Sequence, residues 1–501
     1  MTTPTRTRKA LVVGAGPVGC LASIVLAKIG WDVTLIEGRP DPRLPSSKAA
    51  AQQRSINLAI SARGIAALEA VDPRLATQFL NEAIPMRGRM IHTPAGKLDS
   101  QQYDMDGQCI NSIDRGLLND CLLNETGNYS NIELAFQHKI ESINFDARTA
   151  RARNTSRGVD VDFDFDLCVG ADGSYSVVRR QLMRVVRMDF SQEYISHEYI
   201  ELKMAPGRDA QGRPVFAMDP NHLHIWPRHT FMLIALPNQD QSFTCTLFAP
   251  SLDFDQLREP RAFTTWFREQ FEDAFHLIGE ENLVKSVLDN PRCSLICTKS
   301  KPYHYKDRAI LLGDSAHSMV PFYGQGMNCG LEDVRIFDVL LRQERVEATV
   351  PISPQTQTIP PKAGADIDNR LARVLDYYST NRHEDLVAIC ELAMENYVEM
   401  RHDVTTPLYL LRKAIDNVLY SFTARSTLNS SAVPRLANVP FLTTSPKGWL
   451  PLYTMITFRP DISYATARRK YMKQMRVYKF AGSLGVLVVS LFAAWALSVL
   501  V

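Results

Sequence analysis

The feature that most constrains this chain is Gly14-Ala15-Gly16-Pro17-Val18-Gly19, set between an apolar run, Ala10–Val13, and a helical stretch, Val18–Ile29. A continuous apolar run suits a strand buried on both faces of a parallel sheet. Gly14 permits the tight turn, Gly16 lets the backbone approach a pyrophosphate, and Gly19 allows close helix–strand packing. Val33–Ile36 reads as the next strand and ends in Glu37, about 20 residues on, where an acidic side chain accepts ribose hydroxyls. The opening segment therefore predicts a βαβ dinucleotide-binding unit. Alone, this glycine pattern is weak, and a plain glycine-rich turn is its competitor; the flanking strand, helix and Glu37 argue against that.

Two further corners repeat the arrangement. Leu167–Gly170 runs into Ala171-Asp172-Gly173-Ser174 and on through Ser176 to Arg179 and Arg180. Ala309–Leu312 runs into Gly313-Asp314-Ser315-Ala316-His317, with Gly324, Gly326 and Gly330 leading into a helix near 331–341. Either Asp could simply cap a helix, the commonest task at such a corner. Three corners in this order instead predict one flavin-adenine dinucleotide held at three points, with Asp314 placed to accept a polyol. His317 reads as part of this turn rather than as an acid catalyst.

The order of these motifs resembles the single-component flavin-dependent monooxygenases of the aromatic-hydroxylase type. The resemblance extends over nearly the whole chain to the kynurenine-hydroxylating members, through Arg54–Ser61, Pro85–His92, Leu223–Arg228, Phe231–Asn238, Ser242–Phe248, Met319–Asn328 and Pro451–Met455. It implies noncovalent FAD, NADPH as a transient reductant, O2, and L-kynurenine as substrate. It also implies that a flavin hydroperoxide carries the chemistry, with no side chain assigned as catalytic. Arg39, Arg115, Asp172, Met327 and Asn328 join Gly14, Gly16, Gly19, Glu37, Gly313, Asp314 and Gly326 as expected cofactor contacts.

For the substrate, the resemblance places Arg89, Tyr103, Asn396 and Tyr453 at the amino-acid end. A guanidinium fork binds a carboxylate at two points and a phenol adds a third donor. Leu223, Met232, Ile234, Leu236, Phe248, Pro321, Phe322, Met400 and Thr457 are expected around the ring. For each apolar residue plain core packing competes, evenly so for Leu223 and Leu236. A phenol or salicylate hydroxylase, or a non-enzymatic escort protein on the same flavin fold, are the alternatives. The pairing of Arg89 with Tyr103 favours an amino-acid substrate.

The expected fold is α/β: a Rossmann-like FAD-binding domain (1–185 and 295–342, with a substrate-contacting segment near 85–103) interrupted by an antiparallel-sheet substrate domain (186–294). Alternation in Thr230–Leu236 and Phe243–Phe248, with turn signals at Pro237-Asn238 and Asp253–Asp255, predicts that sheet. Residues 343–366, rich in Pro, Thr, Gln and Gly without periodicity, read as an exposed insertion, and 367–479 as a helical region.

From Phe480 to Val501 there is no charge, and the run is long enough to cross a hydrocarbon core of about 30 Å. Arg468, Arg469, Lys470, Lys473, Arg476 and Lys479 precede it, with no acidic residue after Asp461. This predicts a transmembrane tail anchor with the body facing the cytosol. The resemblance implies the mitochondrial outer membrane; the residues alone do not separate it from the endoplasmic reticulum. A net charge of +2 and 45% hydrophobic residues argue against a nucleic-acid binder, and the N-terminus lacks a signal-peptide core. Nine scattered cysteines, with only Cys293 and Cys297 close, predict reduced thiols and no metal site.

Overall fold

The computed structural model describes residues 5–47, 57–351, 367–424 and 446–480. Its first layer is a six-stranded sheet in the order His304–Tyr305, Ala309–Leu311, Leu167–Gly170, Lys9–Val13, Asp32–Glu37, Ile132–Phe136. Every pair is parallel except the outermost, His304–Tyr305 with Ala309–Leu311. The strands that end in the three glycine corners are therefore immediate neighbours. Helix Pro17–Lys28 packs behind them, and Cys20–Ala27 are all buried, which explains its apolar residues on every side.

A seven-stranded sheet forms the second layer, in the order Cys293–Lys301, Asp189–Met204, Phe243–Pro250, Phe231–Pro237, His222–Arg228, Gly88–His92, Leu98–Gln102. The antiparallel expectation holds for its centre, but the boundaries 186–294 need correction. Gly88–His92 enters from the first part of the chain and pairs in parallel with His222–Arg228, setting Arg89 opposite Leu223. Residues 251–289 are helical, in Ser251–Gln256, Pro260–Gln270, Glu272–Ile278 and Glu280–Asp289, so the turn read at Asp253–Asp255 is a helix.

Strand alternation gives this sheet two unlike faces. Trp226, Leu233, Ala235, Phe243, Cys245 and Leu247 pack onto the four helices with Phe263, Phe267, Phe271 and Phe275. Ile91, Leu223, Ile225, Met232, Leu236 and Phe248 point the other way and join the core of the flavin domain.

Helix Asn369–Arg401 spans that second face, followed by Pro407–Thr423, Leu452–Thr457 and a helix over 464–480. These helices fall in the region 367–479 read as helical, of which 425–445 lie outside the described residues. The insertion is not wholly irregular: Thr349–Pro351 is a strand paired with Thr5–Thr7, while 352–366 lie outside the described residues. Arg54–Ile56 also lie outside them. Among the described residues no helix is long and apolar enough to cross a membrane, and the run expected to do so lies outside them from residue 481 onward.

Candidate active site

At the first corner the glycines have different tasks. A Cβ on Gly19 would stand 1.9 Å from Gly14 O, and one on Gly14 would stand 2.4 Å from Ala171 O, so both are required by packing. Around Gly16 a Cβ would meet nothing within 4 Å. It is the N-cap of helix Pro17–Lys28 and supplies no side-chain cap, leaving free N–H groups at a positive helix end. Helix Gly326–Gln343 likewise starts without a side-chain cap at Gln325. A Cβ on Gly330 would lie 2.7 Å from Val18 Cγ2, so the first turns of the two helices touch. Two uncapped helix starts beside an open cradle suit an anionic dinucleotide.

Glu37 accepts from Ala15 N at 3.1 Å, which turns its carboxylate to the first glycine corner. Burial works against its charge, but Arg39 and the two backbone N–H groups outweigh it and hold its pKa below the usual value. Arg39 itself is 82% exposed and donates Nε to Glu37 Oε1 at 2.9 Å. Arg115 opens helix Arg115–Thr126 on the surface. Asp314 is the one exposed residue of Asp314–His317, and its carboxylate makes no hydrogen bond among the described residues. It is open to a polyol.

Two expected contacts are otherwise engaged. Asp172 accepts from Ser176 Oγ at 2.5 Å and from the backbone N of Val177 and Val178 at 2.6 and 3.1 Å. It thus performs the capping task weighed for it, and its contribution to a ligand is to shape the turn. Asn328 accepts from Ser61 N and donates to Ala59 O and Gly324 O, all within 2.9 Å, so its amide stitches the corner rather than reaching outward. Gly326 and Met327 supply backbone in the first turn of that helix.

His317 sits in its turn, with its ring buried and Nε2 2.5 Å from Asp333 Oδ2. His317, Cys329 and Asp333 bring ligand atoms within 4.8 Å of one another. Arg382 already fills the place of a cation there, donating to Asp333 Oδ1 at 3.0 Å and Cys329 Sγ at 3.5 Å. Cys297, close in sequence to Cys293, instead stands beside the thiol of Cys390, which lowers its pKa to about 7.

The residues expected around a substrate meet on the sheet face turned toward the flavin domain. Arg89 is buried at 5%, with its guanidinium 5.3 Å from the Tyr453 ring centre and 5.9 Å from that of Tyr103. The two rings stack at 4.8 Å. Arg89 Nη1 donates to Glu399 Oε1 at 3.0 Å, but Arg89 Nε, Tyr103 Oη and Thr457 Oγ1 are buried without a hydrogen-bond partner. Such donors are costly to leave unmade. Burial opposes the charge on Arg89, but Tyr409 and Glu399 outweigh it, so its pKa is raised and the guanidinium stays charged.

The residues expected around the ring are continuous with this cluster. Asn396 donates to Phe322 O at 2.7 Å and to Met400 Sδ at 3.2 Å, fixing the turn that begins at Pro321. Phe322 stacks on Tyr397 at 3.9 Å and meets Phe248 edge-on at 5.0 Å. Leu223, Ile234 and Leu236 line the same sheet face, whereas Met232 is fully buried in the core. The sequence reading missed Glu399, Tyr323, Tyr409 and Lys413. Tyr323, 5.8 Å from Tyr453, directly follows the quoted Pro321-Phe322 pair. Glu399 and Lys413 had no local signal, because what singles them out is Arg89, more than 300 residues earlier in the chain.

Fold and site together define a flavin-dependent monooxygenase architecture. The FAD binding domain family matches residues 7–341. The chain is 18% identical to 2-methyl-3-hydroxypyridine-5-carboxylic acid oxygenase, with a TM-score of 0.60 over 81% of this chain and 95% of that one, a likeness of fold. Kynurenine 3-monooxygenase of Cryptococcus neoformans var. neoformans is 44% identical over 500 residues, 96% of this chain and 95% of the relative. That of Saccharomyces cerevisiae is 42% identical over 481 residues, 94% of each. The chain belongs to the kynurenine 3-monooxygenase family.

Proposed function

We propose that this protein hydroxylates L-kynurenine to 3-hydroxykynurenine, using noncovalent FAD, NADPH and O2. FAD bound at the glycine corners would supply the redox chemistry, oxidation of NADPH coupled to transfer of one oxygen atom of O2 to the ring carbon beside the amino group, the other oxygen leaving as water. The observation that carries the reading is Arg89, charged and buried, with Nε unpartnered beside the unpartnered Tyr103 hydroxyl.

A carboxylate leaving water needs a charged, hydrogen-bonding partner inside. Arg89 Nε and Tyr103 Oη supply donors while Nη1 stays with Glu399. Tyr103, Tyr453 and Tyr323 wall that end, and Phe248 and Phe322 exclude water from the ring end. Asn396 holds the Phe322 turn and so fixes the distance between the two ends. Gly14, Gly16, Glu37 and Asp314 would hold the cofactor at the carboxyl ends of strands Lys9–Val13, Asp32–Glu37 and Ala309–Leu311, with Leu167–Gly170 between the first and the last. The sequence carries one βαβ fingerprint and no second unit to house a nicotinamide cofactor, so NADPH docks transiently.

Stopped-flow reduction of the flavin by NADPH, with and without kynurenine, tests the reading. Reduction is expected to accelerate with kynurenine and not with its decarboxylated analogue; equal response to both, or to simple phenols alone, overturns the substrate.

The tail, residues 480–501, anchors the protein in the mitochondrial outer membrane with its body in the cytosol. Its uncharged sequence and the basic residues from Arg468 to Lys479 support an anchor with the body on the cytosolic side, and the family resemblance supports the mitochondrial outer membrane. Deleting everything after Lys479 is expected to make the protein extractable from membranes by alkaline carbonate. A truncated protein that resists extraction as the full chain does overturns the anchor.

A further inference from the structure

Helix Pro407–Thr423 is amphipathic the wrong way round for a soluble surface. Its inward face carries the polar groups. Tyr409 donates to Glu399 at 3.2 Å, Lys413 lies beside Arg89, Asp416 accepts from Trp449 Nε1 at 2.5 Å, and Tyr420 donates to Asp106. The outward face is Leu408, Leu411, Ile415, Val418 and Phe422, spaced as one stripe along the helix. Their exposures are 77, 58, 37, 54 and 85%. Single exposed apolar residues are ordinary, but an uninterrupted stripe of five large ones marks an interaction surface.

What covers the stripe is indicated by the neighbouring helix. The helix over 464–480 packs against this one through Tyr478, whose hydroxyl donates to Asp416 at 2.8 Å. Phe480 therefore stands two residues from a contact at the middle of the stripe's own helix. From there the sequence runs without charge to Val501. On this helix Met472, Val477 and Phe480 are themselves 50, 56 and 72% exposed. Lys473, Arg476 and Lys479 add positive charge beside them, as suits anionic headgroups.

We infer that the outer face of Pro407–Thr423 docks into the interfacial layer of a lipid bilayer, lying along the same leaflet that receives the tail. The inference takes the position of the bilayer from the anchor reading. It adds a second, in-plane contact made by the catalytic body. Because Tyr409 on this helix holds Glu399, which holds Arg89, the membrane contact bears on a wall of the substrate cage.

The test uses the full chain in phosphatidylcholine–phosphatidylserine vesicles containing a lipid with a photoactivatable diazirine in its acyl chain. After irradiation, labelled peptides are mapped by mass spectrometry. Label is expected both within 407–423 and within 481–501. Label on 481–501 alone overturns the docking surface and leaves the anchor standing. Label on 407–423 alone supports the surface and overturns the anchor, and label on neither overturns both. A dimer in detergent together with an unlabelled stripe assigns the stripe to a second copy and overturns the inference. The double variant Leu411→Glu, Val418→Glu keeps flavin content and tail labelling, and is expected to lose about tenfold in labelling of 407–423. Unchanged labelling there overturns the inference.

Discussion

Arg89 shares its charge with Glu399 at 3.0 Å through Nη1, while its Nε is buried without a partner. The clamp is thus half engaged. Arg89→Met removes the carboxylate's partner in the site and also leaves Glu399 facing a cage with less positive charge. The variant is expected to keep FAD but lose kynurenine binding by roughly 3 kcal/mol or more. Arg89→Lys recovers part of this, since a point charge cannot reproduce the two-point fork. Tyr103→Phe costs about 1–2 kcal/mol. The flavin absorbance change on kynurenine titration reads all three. Adding Glu399→Gln to Arg89→Met should restore thermal stability without restoring affinity. Equal affinity in the wild type and Arg89→Met overturns the clamp.

The two glycine classes at the first corner separate folding from cofactor binding. Gly16→Val meets open space and should give folded, colourless protein. Gly19→Ala drives a Cβ into Gly14 O and should fail to fold. Circular dichroism and flavin content measured side by side check both; a yellow Gly16→Val protein excludes this loop from the cofactor site.

Beneath the third corner lies a buried charge network. Glu332 pairs with Arg63 at 2.9 Å and Arg382 at 2.7 Å, and Arg382 also pairs with Asp333 at 3.0 Å. Burial alone would raise the Glu332 pKa, but Arg63, Arg382 and Arg335 outweigh it and depress it to about 2. A depressed carboxylate stabilises the fold above its unfolded pKa, about 4.3, and that contribution is lost as pH falls toward the folded value. Glu332→Gln should therefore cost about 3 kcal/mol at pH 7, with the deficit shrinking toward about pH 2. Thermal midpoints of both proteins across that range decide it; a pH-independent difference points to packing alone.

Lys413 titrates in the opposite sense. Burial, with Arg89 nearby, lowers its pKa to about 8. On the proposed substrate reading, Lys413 is expected to attract the kynurenine carboxylate while charged below that value and to lose that attraction above it. KM for kynurenine is expected to rise above about pH 8 in the wild type more than in Lys413→Met, with kcat nearly unchanged. Because the fold prefers neutral lysine there, Lys413→Met should also stabilise the protein below pH 8, by an amount that fades as pH rises toward the unfolded pKa of about 10.4. Parallel KM profiles for the two proteins remove Lys413 from the site.

The sequence by itself determined the flavin corners, because each is local: a strand end, a glycine and a helix start lie within a few residues of one another, and backbone sterics fix what they do. It also determined the alternating faces of the central strands and the helical region from 367 on, since periodicity is a short-range property. Only the tertiary structure decided which corners are neighbours. It made strand Gly88–His92 part of the large sheet, set Arg89 across from Leu223, and brought Glu399 to Arg89. It also committed Asp172 and Asn328 to capping and stitching, a matter of which backbone groups stand within about 3 Å. The apolar stripe of Pro407–Thr423 shows the division most sharply. The sequence shows a helical pattern there, but which face turns outward depends on partners such as Glu399, Trp449 and Tyr478, and these bind its polar side.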